Sequence, residues 1–408
     1  MLKVIFFFLG MLAVTKAIPM PFREEVPADE IIPFAPYRDD SDGKDYRLPN
    51  NTKPLRYDVS LVTNVHRGEA AFSGTVRIRI QALANTNSIT LHYRQLTIDT
   101  IQVFSNPDGT PSLIPSNPSF TEDLEFLTIN VNNQLMVNQQ YLVVITYHGL
   151  LRDDNMGFYR STYKNPDGKT VWLATTQFEQ TDARHAFPCY DEPQLRATFG
   201  IEIKHDKSYF AISNMPDTSR TPEAGTDYVT TKFQDTLPVQ PYLIAFVVSD
   251  FKSIGNSLPA KPQRVFAKSQ SINNNEAVLA LDASELILSK FEEHLGVTYN
   301  LPKMDQIAIP DFDAGAMENW GLVTYREEYL LYNEEIATTR QRENILTIIA
   351  HEYAVSLHEV IKNCFDFLSF PIVAPMVWQP RRAEMVELFM VSLIHSLPRL
   401  SQSYQFRY

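Results

Sequence analysis

The sequence predicts an α+β protein: an antiparallel β-sandwich or saddle of sheets, followed by a mixed α/β region. Three observations predict it. Apolar and polar residues alternate with period two in many short runs between residues 46 and 250. Pro, Asn and Gly punctuate those runs, as expected of half-buried antiparallel strands. After Phe251 the apolar spacing becomes helical. The chain has 408 residues, with 44% hydrophobic and 21% charged. That is a globular composition with room for two or three domains and a sizeable core.

The first residues, "MLKVIFFFLGMLAVTKAIPM", place Lys3 before an apolar run from Val4 to Val14, with small residues at Thr15 and Ala17. This pattern reads as a secretory signal, residues 1–17, cleaved near Ala17. The alternative is a membrane anchor, for which the run is too short. A secreted, extracellular chain is therefore expected. Residues 18–45 are rich in Pro and charge and read as a flexible leader.

Strands follow. "GTVRIRI" puts Val76, Ile78 and Ile80 on one face and Arg77 and Arg79 on the other. "SITLHY" repeats the pattern with Ile89, Leu91 and Tyr93, and "YLVVITYHG" and "TFGIEIKH" continue it. Residues 46–250 are thus expected to form a β-rich domain. Beyond it, Val278, Leu281, Leu288, Phe291 and Leu295 fall at helical spacing, with Gly296 as a stop. A second helix is expected from Thr338, three residues before Gln341 in a capping-box arrangement. Ile345, Ile348 and Ile349 supply its buried stripe.

Charge and cysteine usage narrow the function classes. With 36 basic and 48 acidic residues the formal charge is −12. This disfavours a nucleic-acid partner, which needs a basic surface. Cys189 and Cys364 are the two cysteines; sequence leaves open whether they pair. Asn50-Asn51-Thr52 is a glycosylation acceptor, consistent with secretion. No second apolar run is long enough to span a bilayer.

The chemistry centres on "IIAHEYAVSLHEV", residues 348–360. Two histidines four apart on a helix can bind one zinc, with the glutamate after the first aimed at the metal-bound water. His351 and Glu352 supply half of that pattern, but Val355 occupies the second histidine's place. Alone, a His-Glu pair more often lies on a solvated helix face. Upstream stands "DFDAGAMENWG", residues 311–321, whose Asn319 lies 32 positions before His351. "TTQFEQTDARHAFPCYDEP" (175–193), "NMGFYRS" (155–161) and "VQPYLIAFVVSDF" (239–251) accompany it.

Together, in this order, these segments resemble the aminopeptidase N family of zinc exopeptidases, from about residue 46 to Ala354. The resemblance implies an incomplete thermolysin-like α/β catalytic domain over 251–354, zinc as cofactor and peptides with a free N-terminus as partners. Gly315, Ala316, Met317, Glu318 and Asn319 would form the substrate-binding segment, Gly315 and Ala316 lying along the peptide as an extended edge. Glu318 would hold the α-amino group, helped by Glu179. Two carboxylates on one ammonium would reject a blocked N-terminus. His351 would be a zinc ligand and Glu352 the general base.

The resemblance stops at Val355, which has no lone pair to offer. The family's third ligand is a glutamate about nineteen residues beyond the second histidine; counting from 355 reaches Ala374. The oxyanion-stabilising tyrosine would fall beyond Tyr408. His358 cannot substitute: seven residues along a helix is about 10.5 Å, whereas zinc ligands must each lie about 2.0–2.1 Å from the metal. His395 reads as a structural histidine, and Glu384 and Glu387 as a solvated helix face. Position 354 therefore reads as a junction with a divergent tail, 355–408, entered by alternative splicing, a frame change or an erroneous gene model. Three functions stay in view: a zinc aminopeptidase inactivated by lost ligands, a non-catalytic secreted peptide-binding protein, and an unstable truncated product exposing apolar surface.

Overall fold

Val76, Ile78 and Ile80 are fully buried and Arg77 is exposed, so the alternation that predicts a strand there also builds the core. Each such side chain contributes about 1.5–3 kcal/mol through burial. The computed structural model describes residues 46–106, 112–113, 118–256 and 261–366, with backbone only at 112–113 and 358–366. The signal segment 1–17, the leader 18–45 and residues 367–408, with His395, Glu384, Glu387 and Ala374, lie outside the described residues. So do the side chains of His358, Glu359 and Cys364.

Three sheets make up the β-rich part. The largest has eight strands in the order β13 (Asp217–Pro222), β14 (Tyr228–Phe233), β11 (Thr198–Asp206), β1 (Thr52–Thr63), β2 (Ala71–Ala82), β8 (Gln140–Leu150), β4 (Leu96–Phe104) and β5 (Ser112–Leu113). Only its β1–β11 pair is parallel. A four-stranded antiparallel sheet follows the order β12 (Phe210–Ser213), β15 (Phe246–Ser249), β10 (Thr170–Gln177) and β9 (Gly157–Lys164). The third joins β3 (Thr86–His92), β7 (Phe126–Leu135) and β6 (Ser119–Thr121). Edge-to-face rings link the first two sheets through Phe72 of β2, which meets Phe158 of β9 at 5.0 Å, and continue within the second sheet, where Phe158 meets Phe246 of β15 at 5.1 Å.

The alternation fails at β3, where Thr90 and His92 are buried along with Ile89 and Leu91. A backbone bridge explains it. The N–H of His92 donates to the Cys189 carbonyl at 2.8 Å, and Cys189 N–H returns the bond at 3.0 Å. The segment after β10 therefore covers the strand. Cys189 is fully buried there, and burial, then the nearby Asp191 carboxylate, pushes its thiol pKa well up.

The second part is a five-stranded mixed sheet in the order β16 (Lys252–Gly255), β17 (Gln263–Ala267), β18 (Met304–Ile309), β20 (Leu322–Arg326) and β19 (Ala316–Met317). Strands β17, β18 and β20 are parallel. All six residues of β18 are buried, as expected for a parallel strand covered on both faces. Helices α1 (Ser269–Asn273) and α2 (Val278–Leu295) connect β17 to β18, and α3 (Thr339–Asp366) follows β20. The α+β class and the order of its two parts are those the sequence predicts.

The helix ends follow their sequence signals. Gly296 caps α2 at φ +64°, its N–H donating to the Glu292 carbonyl. Thr338 Oγ1 accepts from the Gln341 N–H at 3.1 Å at the start of α3. The buried face of α2 differs from the expected stripe. Ala280, Ala283, Ser284, Ile287, Leu288 and Phe291 face inward, while Val278 and Leu295 are exposed. Small residues bring α2 close to the sheet, where Gln306 Nε2 of β18 donates to Ser284 Oγ at 2.6 Å. On α3, Ile345, Ile349 and Tyr353 are fully buried and Ile348 partly so. Tyr353 donates to Gln263 Oε1 of β17 at 3.2 Å, fixing which face of α3 meets the sheet.

Candidate active site

Edge strand β19 carries the segment on which the substrate reading rests. Ala316 pairs with Tyr325 and Met317 with Thr324 of β20, and the N–H of Arg326 donates to the Gly315 carbonyl at 3.0 Å. The chain is thus extended at Ala316 and Met317, while Gly315 lies in the bend just before the strand. Met317 and Asn319 turn inward, each about 1% exposed. Asn319 Nδ2 donates to Thr324 Oγ1 at 3.0 Å, bracing the bend between β19 and β20 from within. Glu318, between these two buried residues, remains partly open to solvent.

Glu179 follows β10 in the β-rich part, at a non-proline cis peptide with Gln180. It is open to solvent on one side. Partial burial, then repulsion from Glu318, raises its pKa. Two carboxylates 139 positions apart in the chain thus feel each other's charge in the fold.

Helix α3 supplies Glu352 and His351. Consecutive helical residues point about 100° apart, so Glu352 is buried while His351 is exposed. Burial raises the Glu352 pKa well above the usual carboxylate range, and Glu318 and Glu179 add to the effect in that order. Its Oε2 has no hydrogen-bond partner among the described residues. Three predicted site acids therefore share one electrostatic neighbourhood.

The metal end offers fewer donors. One turn beyond His351, on the same face, stands the partly buried Val355. Among the described residues no group of three or more His, Cys, Asp or Glu is arranged to hold a metal ion. Among the described residues the donors at this end, one imidazole and an adjacent buried carboxyl, do not by themselves make a tetrahedral zinc centre, which takes three or four protein ligands.

Sequence reading missed the groups that hold the Glu318 segment in place. Asn214 and Lys303 donate to backbone carbonyls of Trp320 and Gly321. No local pattern marks either residue. Asp311 and Ser161 do lie inside segments quoted for the resemblance, although nothing in sequence shows that they touch.

Known proteins place these features in context. The Peptidase M1 N-terminal domain matches residues 53–243, and the Peptidase family M1 domain matches residues 279–358. The chain is 37% identical over 319 residues to aminopeptidase N of Bos taurus, covering 76% of this chain and 33% of that protein. It is 38% identical over 315 residues to endoplasmic reticulum aminopeptidase 1 of Rattus norvegicus, with 76% and 33% covered. With glutamyl aminopeptidase of Rattus norvegicus it shares 36% over 324 residues, covering 78% and 33%. The chain spans about a third of the length of the curated relatives it matches.

Proposed function

The chain belongs to the aminopeptidase N family of M1 peptidases, and from that premise we propose that it binds the free N-terminus of peptides without hydrolysing them. Glu318 holds the α-ammonium group and Glu179 assists. The open edge of β19 accepts the peptide backbone in extended form. Charge-assisted hydrogen bonds in a half-buried setting make the amine the recognised feature. The partner is a peptide in the extracellular space, reached through the signal segment at 1–17.

Val355 carries this reading. A histidine at that position would give a second imidazole on the face of His351; valine gives none. A site with one imidazole does not retain zinc, and without it no water is activated. The second reading is zinc-dependent removal of N-terminal residues. It is supported by Glu352, the expected general base, whose pKa is raised by burial and then by the charges of Glu318 and Glu179.

Metal analysis of the purified chain, paired with an N-terminal aminoacyl nitroanilide assay, separates the two. Substoichiometric zinc and no chelator-sensitive release are expected. One zinc per chain together with chelator-sensitive release overturns the non-catalytic reading.

A further inference from the structure

Residues 311–321, which include Glu318, are anchored at both ends by the β-rich part. At the near end, Ser161 Oγ donates to Asp311 Oδ2 at 2.9 Å, and the N–H of Thr162 donates to the same oxygen at 3.0 Å. Asp311 N–H returns a bond to Ser161 Oγ at 3.1 Å, and Tyr159 OH donates to the Asp311 carbonyl at 2.8 Å. Asn155 Nδ2 donates to Asp313 Oδ1 at 2.7 Å. Strand β9 and the loop before it thus hold both aspartates.

At the far end, Asn214 Nδ2 donates to the carbonyls of Trp320 at 2.9 Å and Leu243 at 2.8 Å, while Asn214 Oδ1 accepts from the Ala245 N–H at 2.9 Å. Lys303 Nζ reaches the carbonyls of Ser213 at 2.8 Å and Gly321 at 2.6 Å. Asn214 and Lys303 are each 2% exposed, so these bonds have little competition from water. The approach is close enough that a Cβ on Gly321, at φ +88°, would lie 2.2 Å from the Asn214 carbonyl oxygen.

Glu179 belongs to the β-rich part and Glu318 to the turn between β19 and β20 of the five-stranded sheet. Their spacing therefore depends on how these two parts are joined, and β20 pairing alone cannot set it. We infer that Asp311 and Asn214 are positioning residues, through which the β-rich part places Glu318 opposite Glu179 for recognition of a peptide amine. The inference rests on the amine-binding reading proposed above. Neither residue touches the ligand; each fixes the backbone on one side of Glu318.

The test uses the full chain and a tri-alanine peptide with a C-terminal fluorophore, with its N-acetylated counterpart as control. Asp311→Ala is expected to cut the preference for the free amine by about tenfold with the melting temperature nearly unchanged. Asp311→Asn, which keeps an oxygen able to accept from both Ser161 and Thr162, is expected to restore most of it. Hydrogen exchange over 311–322 should quicken in Asp311→Ala and not elsewhere. Unchanged preference and unchanged exchange in that variant overturn the inference. If the unaltered chain shows no preference for the free amine, the amine-binding reading falls. The exchange measurement then decides the anchoring by itself: local quickening upholds it and no change overturns it. Should Asp311→Ala fail to fold, Ser161→Ala removes one hydroxyl from the same contact and is judged by the same two readouts.

Discussion

Glu318 and His351 depend on different kinds of support. Glu318 sits in a segment held by side chains from two distant stretches of chain, one contact spanning 158 positions. His351 and Val355 share one face of one helix. A change at position 355 leaves α3 packed through Ile345, Ile349, Tyr353 and Leu357, which are buried on other faces. Position 355 can therefore lack a donor without disturbing the fold. The proposed amine end cannot change as freely where its supports, Asn214 and Lys303, are buried.

Asp305 bears most heavily on the Glu318 side. This fully buried carboxylate accepts from Arg264 at 2.8 and 2.6 Å and pairs with Lys303 at 2.9 Å. Asp305→Ala leaves Lys303 buried and unpaired beneath Gly321. Urea unfolding is expected to show a loss of about 3–5 kcal/mol. Next, Glu318→Gln removes the charge from the proposed amine contact while keeping its shape. The free-amine peptide should then bind more weakly by about 1.5–3 kcal/mol, read by fluorescence anisotropy, with N-acetyl peptide binding unaltered.

Val355→His acts on the helix face of His351. It places a second imidazole one turn from the first, and zinc affinity should rise about tenfold, or 1.4 kcal/mol, in a competition titration. Stability should change little, because the position is only partly buried. The smallest effect concerns pH. Burial lowers the Lys303 pKa against the opposing pull of Asp305. Between that depressed value and the ordinary 10.5, the unfolded chain binds more protons, so stability rises with pH in that window. Lys303→Met should lack the rise, and the difference can be followed by urea unfolding at stepped alkaline pH.

Much of the fold was legible because local spacing and burial agree. Val76, Ile78 and Ile80 show this on β2, and Gly296 shows it at the end of α2. It was illegible where a distant segment changes what a face meets. His92 is buried because Cys189 covers it, a contact across 97 positions. The inner face of α2 escaped notice because Ala280, Ala283 and Ser284 carry little hydrophobic signal while permitting close approach. In the site, the acids emerged from resemblance, and spacing alone would have left Glu318 and Glu179 among ordinary surface carboxylates. Asn214 and Lys303 had no signal, since each acts on backbone carbonyls whose position exists only after folding.

Cys189 has a practical use that follows from its seat against β3. Its sulfur has no route to solvent and little tendency to ionise, so an alkylating reagent must wait for the surrounding sheets to part. The rate at which this one atom is modified therefore serves as a clock for opening of the β-rich part, independent of any ligand or turnover assay.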